Sequence, residues 1–424
     1  MKLVPGPLPD RRHMALAVLA AAAIAGGCGK GVTKPFILPP LSRVVIAQGG
    51  DTTVVTDTLK VGFALQFTAV AFDTGGAPVP AAPLAWSSSQ PAIFGVTASG
   101  RATGLGEGRG LIVVTVGGKS DSVSLLVLPG ATGWFAQVSS STGKLNGVYF
   151  DPDGRHGWAV GDGGEILATT DAGENWAHQA SSTLFNLNSV WFTDADSGWA
   201  VGNSGMAVHT TDGGANWTPM PTGASENLMD VVFAYPDTGW AVGSAGAILT
   251  TFNWGATWTK QNPTTFTLHS VSFAGTRRGW AVGDNGTILG TTDRGLTWSI
   301  EPPVTSQSLR GVWRRSELVA FAAGQQGVVP RTVNVAGLPV WELQNTGASN
   351  QLEGVFYPTD AIGFAVGLNA SALVLRTDDA GVTWSPQTVP VPTTLRDVYF
   401  VDELRGWAVG DNGRIVHTGS GGNP

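Results

Sequence analysis

A five-residue pattern returns along the last three hundred residues of this chain and constrains its fold more than any other feature. Gly-Trp-Ala-Val-Gly, or a close variant of it, occurs seven times. The aromatic residue at the second position marks each copy: Trp158, Trp199, Trp240, Trp280, Phe321, Phe364 and Trp407. Successive markers are 41, 41, 40, 41, 43 and 43 residues apart. A period of this length predicts repeated copies of one supersecondary unit.

Each repeat contains the residues of four short strands. In the first repeat, an opening Leu-x-x-Val-x-Phe strand at 145–150 precedes the Gly-Trp-Ala-Val-Gly strand. A glycine-containing turn at 162–164 leads to a third strand, and an Asp-containing turn leads to a fourth strand near Trp176. Four strands in about forty residues are typical of a propeller blade. We therefore expect residues 130–424 to form a seven-bladed β-propeller.

The ends of the repeat array predict a closed ring. The last repeat stops near Thr418 and lacks a fourth strand with its tryptophan. An unassigned segment at 133–138, which contains Trp134, stands before the first repeat. If this N-terminal strand completes the seventh blade, no sheet edge of the array is left open.

Composition favours an all-β chain and disfavours several functions. The 424 residues include 59 Gly and 16 Trp, and only 13% are charged, as expected for short strands joined by tight turns. A net charge of -7 without a basic stripe disfavours nucleic-acid binding. The six histidines show no metal-ligand spacing and there is one cysteine. The sequence therefore predicts no metal site, no cofactor and no internal disulfide.

The N-terminus has the features of an export signal. Arg11 and Arg12 precede an apolar run of about eleven residues that ends in small residues before Cys28. The segment resembles a bacterial lipobox, which implies a lipoprotein signal peptide at 1–27, lipidation of Cys28 and a tether at 28–40. The implied location is the outer membrane, facing either the periplasm or the cell surface. The alternative is a secreted protein that is cleaved nearby.

Residues 41–129 show strand alternation and turn signals of a small β-sandwich. The segments at 59–73, 84–96, 100–116 and 122–129 resemble bacterial Ig-like domains of the second group. About seven short strands with a buried Trp86 fit this resemblance. Such domains are commonly spacers or adhesive modules on bacterial surfaces, so the sequence predicts an immunoglobulin-like domain before the propeller.

An Asp-turn recurs between the third and fourth strands of the repeats. Its aspartates are Asp171, Asp212, Asp293 and Asp379. An Asp carboxylate can accept hydrogen bonds from amides a few residues on, so a structural role is expected, in preference to a calcium or sugar site. This is the Asp-box pattern of sialidases and related propellers. With residues 279–298 as its best copy, the region resembles the photosystem II assembly factor family of seven-bladed propellers, also described as BNR repeat proteins. The resemblance implies a non-enzymatic scaffold that holds other proteins during assembly.

The residue after the opening leucine of each repeat varies, although its surroundings repeat. In a propeller this position lies at the entrance of the innermost strand, and the candidates for a binding site at the propeller mouth are Asn146, Asn188, His269, Arg310, Glu353 and Arg396. Two guanidiniums beside a carboxylate could bind a carboxylate-bearing or peptide ligand. Alternatively, Arg310, Glu353 and Arg396 neutralise one another as an ion-pair network at the rim.

Two classes of function remain open from the sequence. The first is a monomeric, membrane-anchored binding protein whose partner is a protein or a cell-envelope glycan. The second is a glycoside hydrolase or sialidase-like enzyme, which needs two carboxyl groups about 5 to 9.5 Å apart. Asp230, Glu353 and Asp397 lie at strand entrances and are the candidate acids. No catalytic residue is assigned, because the arginine motif of sialidases is not recognisable.

Overall fold

The computed structural model describes residues 41–48, 56–60, 64–79, 82–105, 108–128, 133–273, 275, 277–368 and 372–422. The predicted signal peptide, Cys28 and the tether lie outside these residues. The chain divides into two compact units at Gly130/Ala131, and each is described by itself. The regular structure of the described residues is strands and single 3-10 turns, which confirms the all-β class. None of the helices among them is both long and apolar enough to cross a bilayer.

The first unit contains eight strands in two four-stranded sheets. They are β1 (Leu41–Gln48), β2 (Thr56–Lys60), β3 (Ala64–Asp73), β4 (Ala85–Ser88), β5 (Phe94–Val96), β6 (Arg101–Gly104), β7 (Gly108–Val116) and β8 (Lys119–Leu128). The strand orders are β1-β3-β6-β5 and β2-β8-β7-β4. The pairing of β2 with β8 is parallel, and the other pairings are antiparallel.

Side chains from both sheets meet in one apolar core. Phe67 and Phe94 come from one sheet, Ile112 and Leu125 come from the other, and all four are fully buried. Trp86 was expected at the centre, but it is only half-buried, because β4 is an edge strand and the ring packs over Gly100 at the margin of the core. The unit is thus a two-layer β-sandwich, and its immunoglobulin-like assignment stays a prediction.

The second unit contains seven four-stranded antiparallel sheets, which we call blades 1 to 7 and number in chain order. The strands of blades 1 to 3 are β10–β13 (Leu145–Phe150, Gly157–Gly161, Ile166–Thr169, Ala177–His178), β14–β17 (Leu187–Phe192, Gly198–Gly202, Ala207–Thr210, Thr218–Pro219) and β18–β21 (Leu228–Tyr235, Thr238–Gly243, Ile248–Thr251, Thr259–Gln261). Those of blades 4 to 6 are β22–β25 (Leu268–Phe273, Gly279–Gly283, Ile288–Thr291, Ser299–Ile300), β26–β29 (Leu309–Arg314, Ala320–Gly324, Val328–Val335, Leu338–Asn345) and β30–β33 (Gln351–Phe356, Gly363–Leu368, Ala372–Thr377, Ser385–Gln387). Blade 7 consists of β34–β36 (Leu395–Phe400, Gly406–Gly410, Ile415–Thr418) and β9 (Phe135–Gln137).

Aromatic residues at fixed repeat positions join each blade to the next. The Trp158 ring of blade 1 stacks on Phe192 of blade 2 at 3.5 Å between centroids, and its indole N–H donates to the Gly213 carbonyl at 3.2 Å. Trp240 and Phe273 form the same stack between blades 3 and 4. Stacked rings add attraction to the apolar area that they bury, so the repeated aromatics hold the blades together.

The ring closes through β9, as the sequence predicted. β9 pairs antiparallel with β36, with Ala136 opposite Val416. Trp134 is buried and makes edge-to-face contacts with Phe364 and Phe400. Trp407 of blade 7 donates its indole N–H to the Ala172 carbonyl of blade 1 at 3.1 Å. The contact between the last blade and the first therefore resembles the contacts elsewhere in the ring.

Candidate functional site

A β-bulge at the start of every innermost strand creates the candidate site. The pairing register shifts directly after the opening leucine in all seven blades. A bulge opposes two residues to one, so the next two residues can face the same side of the sheet. Here both residues line the central channel in every blade except blade 1, where only Asn146 does. The first forms a ring that we call the mouth, and the second forms a deeper ring of Gly, Ser and Asp.

The six predicted site residues lie together at the mouth. They are Asn146, Asn188, His269, Arg310, Glu353 and Arg396, and they line one cavity of about 140 Å³ with Met229, the equivalent residue of blade 3. Below them, aromatic side chains from neighbouring blades pack against one another, for example Tyr149 against Tyr399 and Trp313 against Phe356. A cavity of this size holds only about ten water molecules. The mouth can therefore admit a side chain or a chain end, but not a folded domain.

The asparagine side of the mouth is engaged in bonds within the ring. Asn146 Nδ2 donates to Asp162 Oδ1 at 3.0 Å and to the Leu187 carbonyl at 2.9 Å. Asn188 makes the equivalent bonds to Asn203 Oδ1 and to the Leu228 carbonyl. These amides therefore link one blade to the next and contribute little free donor capacity.

Arg396 has two acidic partners. Its Nε donates to Asp411 Oδ1 at 2.8 Å, and its Nη1 lies 3.7 Å from Glu353 Oε1. Burial lowers the pKa of the guanidinium, but the hydrogen bond to Asp411 and the negative charges around it raise the pKa overall. Glu353 also accepts a hydrogen bond from Gln351 at 2.7 Å. Glu353 and Arg396 thus form an ion pair as in the network that the sequence left as one alternative, but Asp411 is a further member and Arg310 is not part of it.

Arg310 stands apart from that network. No carboxylate oxygen of the described residues lies within 4.0 Å of its guanidinium, and its Nε is buried without a hydrogen-bond acceptor. Its Nη1 lies 2.9 Å from His269 Nε2, and that nitrogen lies 2.8 Å from Asp284 Oδ1. Burial lowers the pKa of His269; the hydrogen bond with Asp284 opposes this shift, and the positive charge of Arg310 adds to it. Arg310 therefore presents a positive charge that no carboxylate of the described residues neutralises at contact.

Two of the candidate acids lie deeper in the channel. Asp230 accepts hydrogen bonds from the hydroxyls of Ser189 and Ser270 and from two main-chain amides. Asp397 accepts only from the main-chain N–H groups of Val148 and Val398. Burial raises the pKa of both, that of Asp397 to about 7. Asp397 therefore keeps its proton to a higher pH than an ordinary carboxyl group does.

The Asp-box aspartates lie outside the cavity and bond within their own turns. Asp171 Oδ1 accepts from the Thr169 hydroxyl at 2.8 Å and from the Asn175 N–H at 2.9 Å. The other three predicted aspartates make the equivalent bonds, namely Asp212, Asp293 and Asp379. Their turns also receive indole N–H groups from the preceding blade, as at Gly213.

Three carboxylates that orient the mouth were not among the residues predicted from the sequence. Asp162, Asp284 and Asp411 directly follow the Gly-Trp-Ala-Val-Gly copies of blades 1, 4 and 7, and each contacts the mouth residue of its own blade. A signal was present, because each lies 15 or 16 residues after its partner in the repeat. Among the described residues, one group with metal-ligand geometry occurs at the other end of β10, namely Asp151, Asp153 and His156. The spacing of the histidines alone does not indicate this set, because two of its three ligands are aspartates.

Part of the second unit is similar in sequence to one known protein family. A family model described as photosynthesis system II assembly factor YCF48 matches residues 131–225 and 219–305. No curated protein matches the chain by sequence. The resemblance that residues 279–298 predicted is confirmed: over residues 131–305 the second unit is similar to the YCF48 family of BNR-repeat propellers.

Similar solved structures agree on the fold. YCF48 bound to D1 peptide is 21% identical, covers 68% of this chain and 95% of its own, and has a TM-score of 0.57. YCF48 from Cyanidioschyzon merolae is 22% identical, covers 68% of this chain and 98% of its own, and has a TM-score of 0.57. U3-55K is 10% identical, covers 69% of this chain and 99% of its own, and has the same TM-score of 0.57. Because so distant a protein matches equally well, the structural likeness establishes the fold alone.

Proposed function

We propose that this protein is a non-enzymatic scaffold that binds an extended segment of a protein partner at the propeller mouth, outside the cytoplasm. The YCF48 family match supports a protein-binding propeller, and the solved YCF48 structure with a D1 peptide supports a peptide as the kind of ligand. The apolar run before Cys28 supports export and attachment to the outer membrane through a lipid on that cysteine.

The observation that carries the proposal is that Arg310 has no carboxylate partner among the described residues and that its buried Nε has no hydrogen-bond acceptor. Burying a charged donor without an acceptor costs free energy, so such a group is suited to a ligand that supplies the acceptor. Arg396, by contrast, already has Asp411 and Glu353 as partners. A carboxylate of a bound peptide could accept two parallel hydrogen bonds from Arg310, and a main-chain carbonyl could accept one.

Capture of partners from the native envelope tests this binding site. The full chain and its Arg310→Ala variant are immobilised, and bound proteins are identified and then titrated as peptides. We expect Arg310→Ala to weaken the binding of a captured peptide at least tenfold, the loss typical for one charged hydrogen-bonding partner.

Arg315→Ala is the matched control for that experiment. Arg315 lies in the same blade, but its exposed guanidinium pairs with Asp360 outside the mouth cavity. The control should bind like the wild type. Equal binding by the Arg310→Ala variant would place the partner elsewhere on the molecule and refute the proposed site.

The proposed location is tested separately. A Cys28→Ser variant cannot be lipidated, so it should move from the outer-membrane fraction to the soluble fraction of the host cell, and labelled fatty acid should be incorporated only into the wild type. Equal membrane association of both proteins would contradict anchoring through Cys28.

Sugar hydrolysis is the alternative function, and one observation favours it. Asp397, with its pKa raised to about 7, has the proton affinity of a general acid, and Asp230 lies in the same channel. Against it, both oxygens of Asp397 already accept main-chain N–H groups. Turnover of sialosides or other glycosides by the wild type, lost in Asp397→Asn, would establish the enzyme; its absence across a glycan panel would leave the binding function.

A further inference from the structure

The loop between β10 and β11 contains a buried carboxylate, and one of its oxygens has no hydrogen-bond partner. Asp151 directly follows β10 and is only 5% exposed. Its Oδ1 is shielded from solvent and has no hydrogen-bond donor. A buried carboxylate oxygen without a hydrogen-bond donor is costly unless a cation approaches it.

Two further ligand groups meet this carboxylate. One carboxylate oxygen each of Asp151 and Asp153 and one ring nitrogen of His156 lie within 4.8 Å of one another. Asp153 Oδ2 and His156 Nδ1 are 2.7 Å apart. Ligand atoms that share a metal ion are separated by about 3 Å, given metal–ligand distances of about 2.0–2.2 Å. Small side-chain movements would therefore bring all three atoms onto one ion.

The loop that holds these groups is fixed by its own bonds. The Asp151 N–H donates to the His156 carbonyl at 2.9 Å, and the Gly154 N–H donates to the Asp151 carbonyl at 2.8 Å. Arg405 of blade 7 donates to the Asp153 carbonyl at 3.1 Å. Ligands held in this way lose little further entropy on binding.

The equivalent loops of other blades show which residues the fold of this loop requires. A turn aspartate equivalent to Asp153 accepts two main-chain amides in blade 2 and in blade 7, at Asp194 and Asp402. In blade 7 the equivalents of Asp151 and His156 are Val401 and Arg405, and Arg405 pairs with Asp402 at 2.7 Å. The fold of this loop therefore needs neither the buried carboxylate nor the imidazole.

We propose that Asp151, Asp153 and His156 bind one divalent transition-metal ion such as Zn²⁺ or Mn²⁺. The ion replaces the proton between Asp153 and His156, which is released to solvent. Two carboxylates and an imidazole suit this class of ion, whereas Ca²⁺ and Mg²⁺ prefer oxygen ligands alone. Three protein ligands leave positions that water or another molecule can fill.

Metal titration of the full chain, purified without an affinity tag and treated with chelator, tests the site. Calorimetry with Zn²⁺ and with Mn²⁺ should give one site per chain. At a free metal concentration of roughly 100 Kd, the Tm should rise by about 5 °C. Ca²⁺ and Mg²⁺ at the same concentrations should not raise it.

Two variants distinguish this site from adventitious binding. His156→Arg copies the residue of blade 7, so it preserves the ion pair with Asp153 and the fold, but it cannot bind a metal. Asp151→Asn removes the buried charge. Both should lose the single site, whereas His178→Gln, which alters another histidine paired with a carboxylate, should retain it. If His156→Arg binds metal like the wild type, or if the wild type binds none of these ions or only Ca²⁺ and Mg²⁺, the proposal is wrong.

Discussion

At the scale of single residues, one side chain interrupts the aromatic stacks between blades. The fifth residue after the opening leucine is an aromatic in six repeats, for example Phe192 and Phe273, and it is Arg314 in blade 5. Arg314 is 3% exposed, and its Nη1 and Nη2 have no hydrogen-bond partner. Burial lowers its pKa to about 10. This interface between blades 4 and 5 therefore carries a desolvated charge where the others carry a ring.

We predict that Arg314→Phe stabilises the propeller. Replacing a poorly partnered buried charge by a ring of suitable shape should raise the free energy of unfolding by about 1–3 kcal/mol. Urea unfolding followed by tryptophan fluorescence measures the change. Arg315→Phe, at an exposed neighbouring position, should not stabilise. A lower stability of Arg314→Phe would show that the guanidinium contributes a favourable interaction.

The raised pKa of Asp397 leads to a prediction of how the free energy of unfolding depends on pH. Its folded pKa of about 7 lies above the ordinary value near 3.8, so the folded chain binds the proton more tightly than the unfolded chain. The contribution of Asp397 is therefore fully present below about pH 4 and is lost as the pH rises to about 7, by roughly 2–4 kcal/mol. Asp397→Asn should make the loss of Tm between pH 5 and pH 7.5 smaller than in the wild type.

Asp360→Asn is the control for this pH dependence, because the side chain of Asp360 is 77% exposed. It should leave the pH profile unchanged. Some pH dependence should persist in Asp397→Asn, since burial also raises the pKa values of Asp151 and Asp230. Identical profiles for the wild type and Asp397→Asn would contradict the assigned proton affinity.

At the scale of structural elements, the Asp-box turn offers a test that the chain itself suggests. Blade 3 has Asn253 at the Asp-box position, and its Oδ1 accepts from the Thr251 hydroxyl and the Thr257 N–H as an aspartate would. Asp293 has the same arrangement, with Thr297 in the place of Thr257, so we predict that Asp293→Asn changes the free energy of unfolding by less than about 0.5 kcal/mol. Asp293→Ala should cost about 1–2 kcal/mol, because it leaves the buried Thr291 hydroxyl without its acceptor. Equal effects of both variants in chemical denaturation would argue against this hydrogen-bonding role.

The elements also show what could be predicted from the sequence. The blades and the pairing of β9 with β36 followed from the repeat spacing, because strand length and the aromatic positions recur along the chain. The hydrogen bond of Arg396 to Asp411 could not be predicted, since it depends on a bulge and on side-chain directions that a repeat pattern does not record. Asp151 was missed for a similar reason: its burial arises only when the loop folds back on β11.

At the scale of the whole molecule, stability depends on the closing strand. Deleting residues 130–139 removes Trp134 and β9, so it leaves β36 with an unpaired edge and exposes the apolar surface of Phe364 and Phe400. We predict a loss of at least about 3–5 kcal/mol, or association through the open edge. Light scattering after gel filtration and thermal unfolding measure both. A monomeric truncation of unchanged Tm would contradict closure by this strand.

The same closure ties folding to completion of the chain. The Gly133 N–H bonds to the Ser420 hydroxyl, 287 residues later. At a synthesis rate of about 5–20 residues per second, the first strand of the ring leaves the ribosome roughly 15 to 60 seconds before the strand it pairs with. During that interval, the nascent propeller must stay soluble with an apolar edge exposed. A chain that ends early by one blade never acquires the partner of β9, so incomplete products remain open and become substrates for proteases. Only full-length molecules can therefore accumulate as closed rings.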